Sequence, residues 1–266
     1  MVRAVPGWVR VGAWIFVLLA ALFLLVPLIV VMGVSVSETQ FIVFPPKGFS
    51  LRWYEKAMNA PAYVDAFWLS LRLAALVTLS ACILGGAAAI GLSRGGRSGG
   101  VVETFFLSPL VLPSIIFAIG LLMLWSALLG PTSFHALWLA HTVIALPYVI
   151  RTTLAVLAER DPHIEEAART MGASRLQRLW FVTLPQCRPG LLAGAFFAFN
   201  ISFDEAVLSL FLRNPNLTTL PVQIYGQLEF SPDPTVAAVS TLMILITVAL
   251  MLILERMLGL TRFASG

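Results

Sequence analysis

Asp161-Pro162-His163-Ile164-Glu165-Glu166-Ala167-Ala168-Arg169-Thr170-Met171-Gly172-Ala173-Ser174 is a polar island in an otherwise apolar chain, and the rest is best understood outward from it. Asp161 is a good N-cap. Pro162 suits a first helical position, where the amide hydrogen it lacks would have no partner. Glu165 and Glu166 fall in the first turn, where the helix dipole favours negative charge. Ala167 and Ala168 are strong helix formers, and Gly172 marks a helix end. A second short helix is expected from Ser174 to about Val182, with Pro185 and Pro189 breaking it before the next apolar run. The stretch therefore predicts a short helix-turn-helix whose small residues leave room for close packing against another body.

On both sides of this island the chain turns apolar. The runs 11–34, 66–92, 101–129, 136–157, 189–212 and 236–258 are each long enough to span a bilayer as a helix. Strand-like alternation is absent, and backbone groups in lipid need internal partners, which a helix supplies. Composition agrees. Hydrophobic residues make up 59% of the chain and charged residues 11%, with a mean hydropathy of +0.92, whereas soluble domains carry about 25% charged residues. The expected fold class is all-α, a polytopic membrane protein with six transmembrane helices. The first run follows Arg3 and Arg10, yet it exceeds the roughly 7–15 apolar residues of a signal peptide and reads as a retained helix.

Arginine and lysine set the orientation. Arg3, Arg10, Arg94, Arg97, Arg151, Arg160, Arg169, Arg175, Arg178, Arg188, Arg256 and Arg262 fall on one side. Lys47, Arg52, Lys56 and Arg213 fall on the other, with Arg72 early in the second run. The arginine-rich side is expected to be cytoplasmic, with both termini inside. The net charge of +4 is then a consequence of topology, and no nucleic-acid motif accompanies it. Cys82 and Cys187 have no metal or disulfide spacing and read as small buried hydrophobes. The inner turn 93–100 is short; 158–187 is the longest inner connection, and 35–65 and 213–235 are the longer outer ones.

With its downstream residues, the island resembles the EAA loop of ABC importer permeases. In that pattern Glu-Ala-Ala is followed by three residues, Gly, nine residues, an aliphatic, one residue and Leu-Pro. Here these are Glu166-Ala167-Ala168, Gly172, Val182 in place of the usual Ile, and Leu184-Pro185. Leu146-Pro147-Tyr148, Ser202-Phe203-Asp204-Glu205, Thr219-Leu220-Pro221 and Ile224-Tyr225 extend the resemblance, which is greatest to the polyamine branch, the putrescine and spermidine permeases. It implies one transmembrane permease domain over 1–266 of the type I importer kind, with a short cytoplasmic N-terminus (1–10) and a coupling loop at 158–187. It also implies a coupling role for Glu165, Glu166, Ala167, Ala168, Gly172, Ala173, Leu184 and Pro185, with Glu166 meeting a cytoplasmic ATPase and Gly172 permitting the turn. The implied partners are two copies of that ATPase, a second homologous permease, a periplasmic substrate-binding protein and the lipid bilayer. No cofactor is expected in this chain, since ATP and Mg would sit in the ATPase. Consistently, the chain has no G-x-x-x-x-G-K-[ST], its only lysines being Lys47 and Lys56.

The fifth run carries the candidate pathway. Charges within spans are costly and default to functional hypotheses. Counted from Pro189, Asp204 lies about 22 Å along a helix, beyond the midplane. Asn200 and Asp204 share one helical face, and Ser202, Glu205 and Ser209 another. Phe196, Phe199 and Phe203 lie near the first stripe, so a cationic amine would find carboxylate charge and aromatic faces together. Two other readings stand beside this one. In one, the helix ends early and leaves both acids wetted; in the other, the acids pair with Arg72 or Arg213. His141 reads as a helix-packing hydrogen bond, Pro109 and Pro113 as a kink, and Trp8, Trp14, Trp53, Trp68 and Trp138 mostly as interfacial anchors. An intramembrane enzyme is disfavoured because His135, His141 and His163 are scattered and no HExxH occurs. A secondary transporter is disfavoured by the EAA resemblance. Opines, aminophosphonates, iron or sulfate are the alternative cargoes.

Overall fold

The computed structural model describes residues 6–94, 99–214 and 217–258. Arg3, Arg97 and Arg262, used above for orientation, lie outside the described residues. Among those described, every regular element is helical: α1 (Gly7–Ser35), α2 (Arg52–Asn59), α3 (Pro61–Ser93), α4 (Gly99–Leu107), α5 (Ser114–Leu128), α6 (Phe134–Glu159), α7 (Pro162–Thr170), α8 (Arg175–Arg178), α9 (Leu184–Asp204), α10 (Val207–Leu212), α11 (Leu220–Phe230) and α12 (Thr235–Leu258). By length and apolarity α1, α3, α6 and α12 can each cross a membrane, and α4 with α5 forms a fifth, bent candidate. At 21 residues α9 has the length of a span, but Gln186, Arg188, Asn200 and Asp204 dilute its apolarity. This inventory is compatible with six spans.

Two elements depart from the sequence expectation, while the kink expected at Pro109 and Pro113 is present: the third run bends by 95° between its two helices. A 3-10 turn at Ser108–Leu110 and the N-cap Pro113 mark the break, where Pro109 and Pro113 cannot donate to a helical ladder. Pro185 and Pro189 do not break the chain ahead of the fifth run. Helix continues from α8 through a π-turn at Leu179–Thr183 into α9, with Pro185 in the first turn of α9 and Pro189 inside it. The wider π-turn opens the ladder where Pro185 has no hydrogen to give. The fifth run itself breaks after Asp204, and α10 follows as a separate short helix. The connections over residues 35–65 and 213–235 also hold the helices α2 and α11.

Contacts divide the chain into two units, Met1–Val64 with Ile224–Leu245 and Asp65–Gln223 with Ile246–Gly266. In the first unit, α2 buries Trp53 and Ala57. Trp53 is therefore not an exposed anchor: its Nε1–H donates to Ser37 O at 2.8 Å, and the Arg52 guanidinium lies 4.5 Å from its ring centroid. Lys56 Nζ meets Asp233 Oδ2 at 2.6 Å. Burial pushes the Asp233 carboxyl up, but hydrogen bonds from Lys56 and Thr235 and the Lys56 charge outweigh it and hold it below the usual carboxylate range. A carboxyl depressed by folding contributes stability above its unfolded pKa and loses that contribution as pH falls through its folded value. With Lys56 largely exposed, screening keeps the pair at no more than about 1 kcal/mol. Thermal unfolding of purified Asp233→Asn should therefore trail the parent slightly at neutral pH. The gap should close on acidification below the usual carboxylate range; a gap that widens there would contradict the assignment.

In the second unit, Leu73, Val77, Leu137, Val149, Ala198 and Leu208 belong to one buried cluster, joining α3, α6, α9 and α10. A second cluster of Ala89, Ile90, Ile150, Leu157 and Cys187 lies toward the α7 end. Helices α6 and α9 approach through Gly190 and Gly194. A Cβ at Gly190 would sit 2.7 Å from Thr152 O, and one at Gly194 would sit 2.8 Å from Val149 Cα. Small residues four apart are the usual means of bringing membrane helices together where apolar lipid gives them little drive to associate. Gly194→Val should force α6 and α9 apart at a cost of about 1–3 kcal/mol. The check is the yield of detergent-stable protein by size exclusion; an unchanged melting temperature would refute the close approach.

Candidate functional site

The loop over residues 158–187 folds as a capped pair of helices. Asp161 Oδ1 accepts the His163 N–H at 2.9 Å and starts α7. At its other end the Gly172 N–H donates to Arg169 O and the Ala173 N–H to Ala168 O, both at 3.0 Å. This is the Schellman pattern, and it needs a left-handed residue at Gly172, whose φ is +85°. Ser174 then caps α8 reciprocally: the Gln177 N–H donates to Ser174 Oγ at 3.3 Å and the Ser174 N–H to Gln177 Oε1 at 2.8 Å. The two helix caps and the turn between them are thus made by local hydrogen bonds.

The candidate coupling residues divide by environment. Glu166, Ala167, Gly172 and Pro185 are exposed, Ala168 is buried, and Ala173 and Leu184 are half-buried. Among the described residues Glu166 meets only His163 Nδ1, at 3.3 Å. Ile164, Met171 and Leu176 add exposed apolar surface on the same loop. Glu165 is turned inward instead. Its Oε1 lies 2.8 Å from Arg94 Nη2 and 4.0 Å from Arg178 Nε, and its Oε2 lies 3.2 Å from Arg160 Nη1. Sequence reasoning did not pair these arginines with Glu165. The available signal was a second acid beside Glu166, with three arginines on the same side of the membrane.

The fifth-run acids also separate. Because α9 ends at Asp204, neither acid sits in mid-helix. Glu205 Oε1 accepts the N–H groups of Val207 at 2.8 Å and Leu208 at 3.0 Å, and so caps α10. Asp204 is exposed. Among the described residues no ion pair joins either acid to Arg72 or Arg213. Asn200 Nδ2 donates to Phe196 O within its own helix, at 2.8 Å. Phe203 is buried, stacked on Phe199 with ring centroids 5.5 Å apart and edge-on to Phe67 at 6.4 Å. The fully buried His141 hydrogen-bonds Ser202 Oγ at 3.0 Å through Nδ1 and Ser209 Oγ at 3.1 Å through Nε2. It ties α6 to both sides of the break, the packing role its sequence position implied.

Comparison with known proteins places this geometry. The family model described as "binding-protein-dependent transport system inner membrane component" matches residues 81–260. The chain is 33% identical over 238 residues to the putrescine transport system permease protein PotI of Escherichia coli K12, covering 86% of this chain and 84% of that one. It is 31% identical over 243 residues to the spermidine/putrescine transport system permease protein PotC of Haemophilus influenzae, covering 91% and 93%. In fold it matches a chain of a bacterial ABC transporter involved in import of the acidic polysaccharide alginate, with a TM-score of 0.71 at 15% identity, over 95% of this chain and 98% of the other.

Proposed function

We propose, on the premise that this chain belongs to the family of binding-protein-dependent transport system inner membrane components, that it carries a polyamine of the putrescine or spermidine class into the cell. The chain is a multi-pass inner-membrane permease of an ABC importer and a transport component without catalysis of its own. The observation that carries the polyamine reading is the likeness to a putrescine permease along 86% of the chain. The open carboxylate of Asp204, on one face with Asn200, supports a cationic cargo. In this reading residues 1–266 act as one permease domain with both termini cytoplasmic. The α7–α8 loop docks on an ATPase through Glu166, Ala167 and Gly172, with Ala168, Ala173 and Leu184 shaping it from behind and the exposed Pro185 in the first turn of α9. The working assembly is this chain, a second and different permease, two ATPase subunits and one periplasmic binding protein.

The test is labelled uptake by proteoliposomes holding the whole complex, with putrescine and spermidine set against an opine, an aminophosphonate, iron and sulfate. Saturable, ATP-dependent putrescine or spermidine uptake is expected. Uptake of one of the others with no polyamine uptake would overturn the substrate class while leaving the permease assignment intact.

A further inference from the structure

Beyond its covalent links to α6 and α9, the coupling loop is tied to the rest of its unit by ion pairs that converge on one carboxylate. Glu165 belongs to α7, whereas its three arginine partners come from three other places: Arg94 follows α3, Arg160 is the C-cap residue of α6, and Arg178 ends α8. Arg94 Nη2 also donates to Thr183 Oγ1 at 3.4 Å, in the π-turn that leads into α9. Arg178 Nη1 donates to Ala173 O at 2.8 Å, inside the turn that Gly172 makes. The side chains of Glu165, Arg160 and Arg178 are 22%, 17% and 18% exposed, so these charges are only partly screened by water. One anion among three cations is under strong demand. Without it, three guanidiniums would face one another at short range, and nothing else described on α7 would hold them.

We propose that Glu165 is a positioning residue, the strut through which displacement of the α7–α8 loop is transmitted to α3, α6 and α9. This rests on the reading of the loop as the ATPase-docking element. It assigns the two adjacent acids opposite tasks: Glu166 faces outward, and Glu165 faces the chain's own membrane helices. Movement of α7 then pulls on the ends of three long helices together, because each is reached within one or two charge-assisted contacts. Without the carboxylate the loop still docks but slides against its own arginines.

The experiment uses the full importer reconstituted in proteoliposomes. It measures ATPase co-purification, hydrolysis stimulated by the loaded binding protein, and cargo moved per ATP. Glu165→Gln should keep wild-type co-purification while cargo per ATP falls about thirtyfold, the middle of the range typical for coupling between sites. Arg94→Gln should lower the same ratio, and the double variant should be no worse than the more severe single one, as members of one network behave. Exchanging the pair, Glu165→Arg with Arg94→Glu, should restore part of the ratio. If Glu165→Gln is not recovered in membranes, Arg94→Gln alone carries the test through the same ratio. An unchanged ratio in Arg94→Gln, or loss of co-purification in Glu165→Gln equal to that in Glu166→Gln, would overturn the strut. If Glu166→Gln and Gly172→Asp also left co-purification and uptake unchanged, the docking reading beneath it would fail as well, and the two failures are thereby distinguished.

Discussion

Gly172→Asp should leave the chain inserted in the membrane, reduce uptake to background and lower recovery of the ATPase on affinity purification. The backbone accounts for only part of this. A side chain at φ +85° is strained by about 1–2 kcal/mol, because the left-handed region crowds Cβ against the next carbonyl. A Cβ at Gly172 would meet nothing within 4 Å inside the chain, so there is no internal clash. Asp and Asn share the ability to adopt this conformation, which makes Gly172→Asn the informative control. It imposes nearly the same backbone and bulk without the charge. If Gly172 sits on a docking face, Asp adds an unpaired buried charge there and Asn does not. Gly172→Asn is therefore expected to retain measurable uptake, Gly172→Ala to fall between the two, and Gly172→Asp to retain none. Wild-type uptake by Gly172→Asp in membrane vesicles would remove Gly172 from the coupling face. Equal losses in Asp and Asn would assign the effect to bulk instead of charge.

How far these residues were legible in advance depended on the range of the interaction that places them. The α7 boundaries follow from Asp161, Pro162 and Gly172 because caps act over two to five residues, and such patterns are visible in a linear string. The long apolar helices were legible for a similar reason, since a bilayer demands a run of fixed length. The clasp on Glu165 was not, because Arg94 is 71 residues away and nothing local couples the two. Trp53 was misread as an interfacial anchor because its partner, the Ser37 carbonyl, is supplied by the fold of the outer loop. The break after Asp204 was open to either reading. Ser202, Asp204 and Glu205 look equally like a polar stripe on a continuous helix and like the end of one. The choice is made by Glu205 capping α10 and by His141 reaching from α6 to hold Ser202 and Ser209 on opposite sides of the break.

That break separates the effects expected at the two acids. Asp204→Asn should reduce polyamine uptake about five- to tenfold, the difference between a hydrogen bond to a charged group, at roughly 1.5–3 kcal/mol, and a neutral one, at roughly 0.5–1.5 kcal/mol. Its carboxylate is exposed at the end of α9 and has no ion-pair partner among the described residues, so a cationic amine arriving there would complete it. Glu205→Gln should fall within about twofold of the parent, because the amide oxygen still accepts the Val207 and Leu208 N–H groups and keeps the cap. Glu205→Ala removes the acceptor altogether. It should cost about 1 kcal/mol of stability, as cap deletions do, and register as a lower melting temperature before it registers in transport. ATPase co-purification should hold in all three, since the capped loop that would dock is built from other residues. Labelled putrescine uptake in proteoliposomes, scored beside co-purification, decides the matter. If Asp204→Asn transports as well as the parent while Glu205→Gln does not, the assignment of the two acids is inverted. If the double variant Asp204→Asn/Glu205→Gln is also undiminished, neither acid meets the cargo, and the polyamine reading then rests on sequence likeness alone.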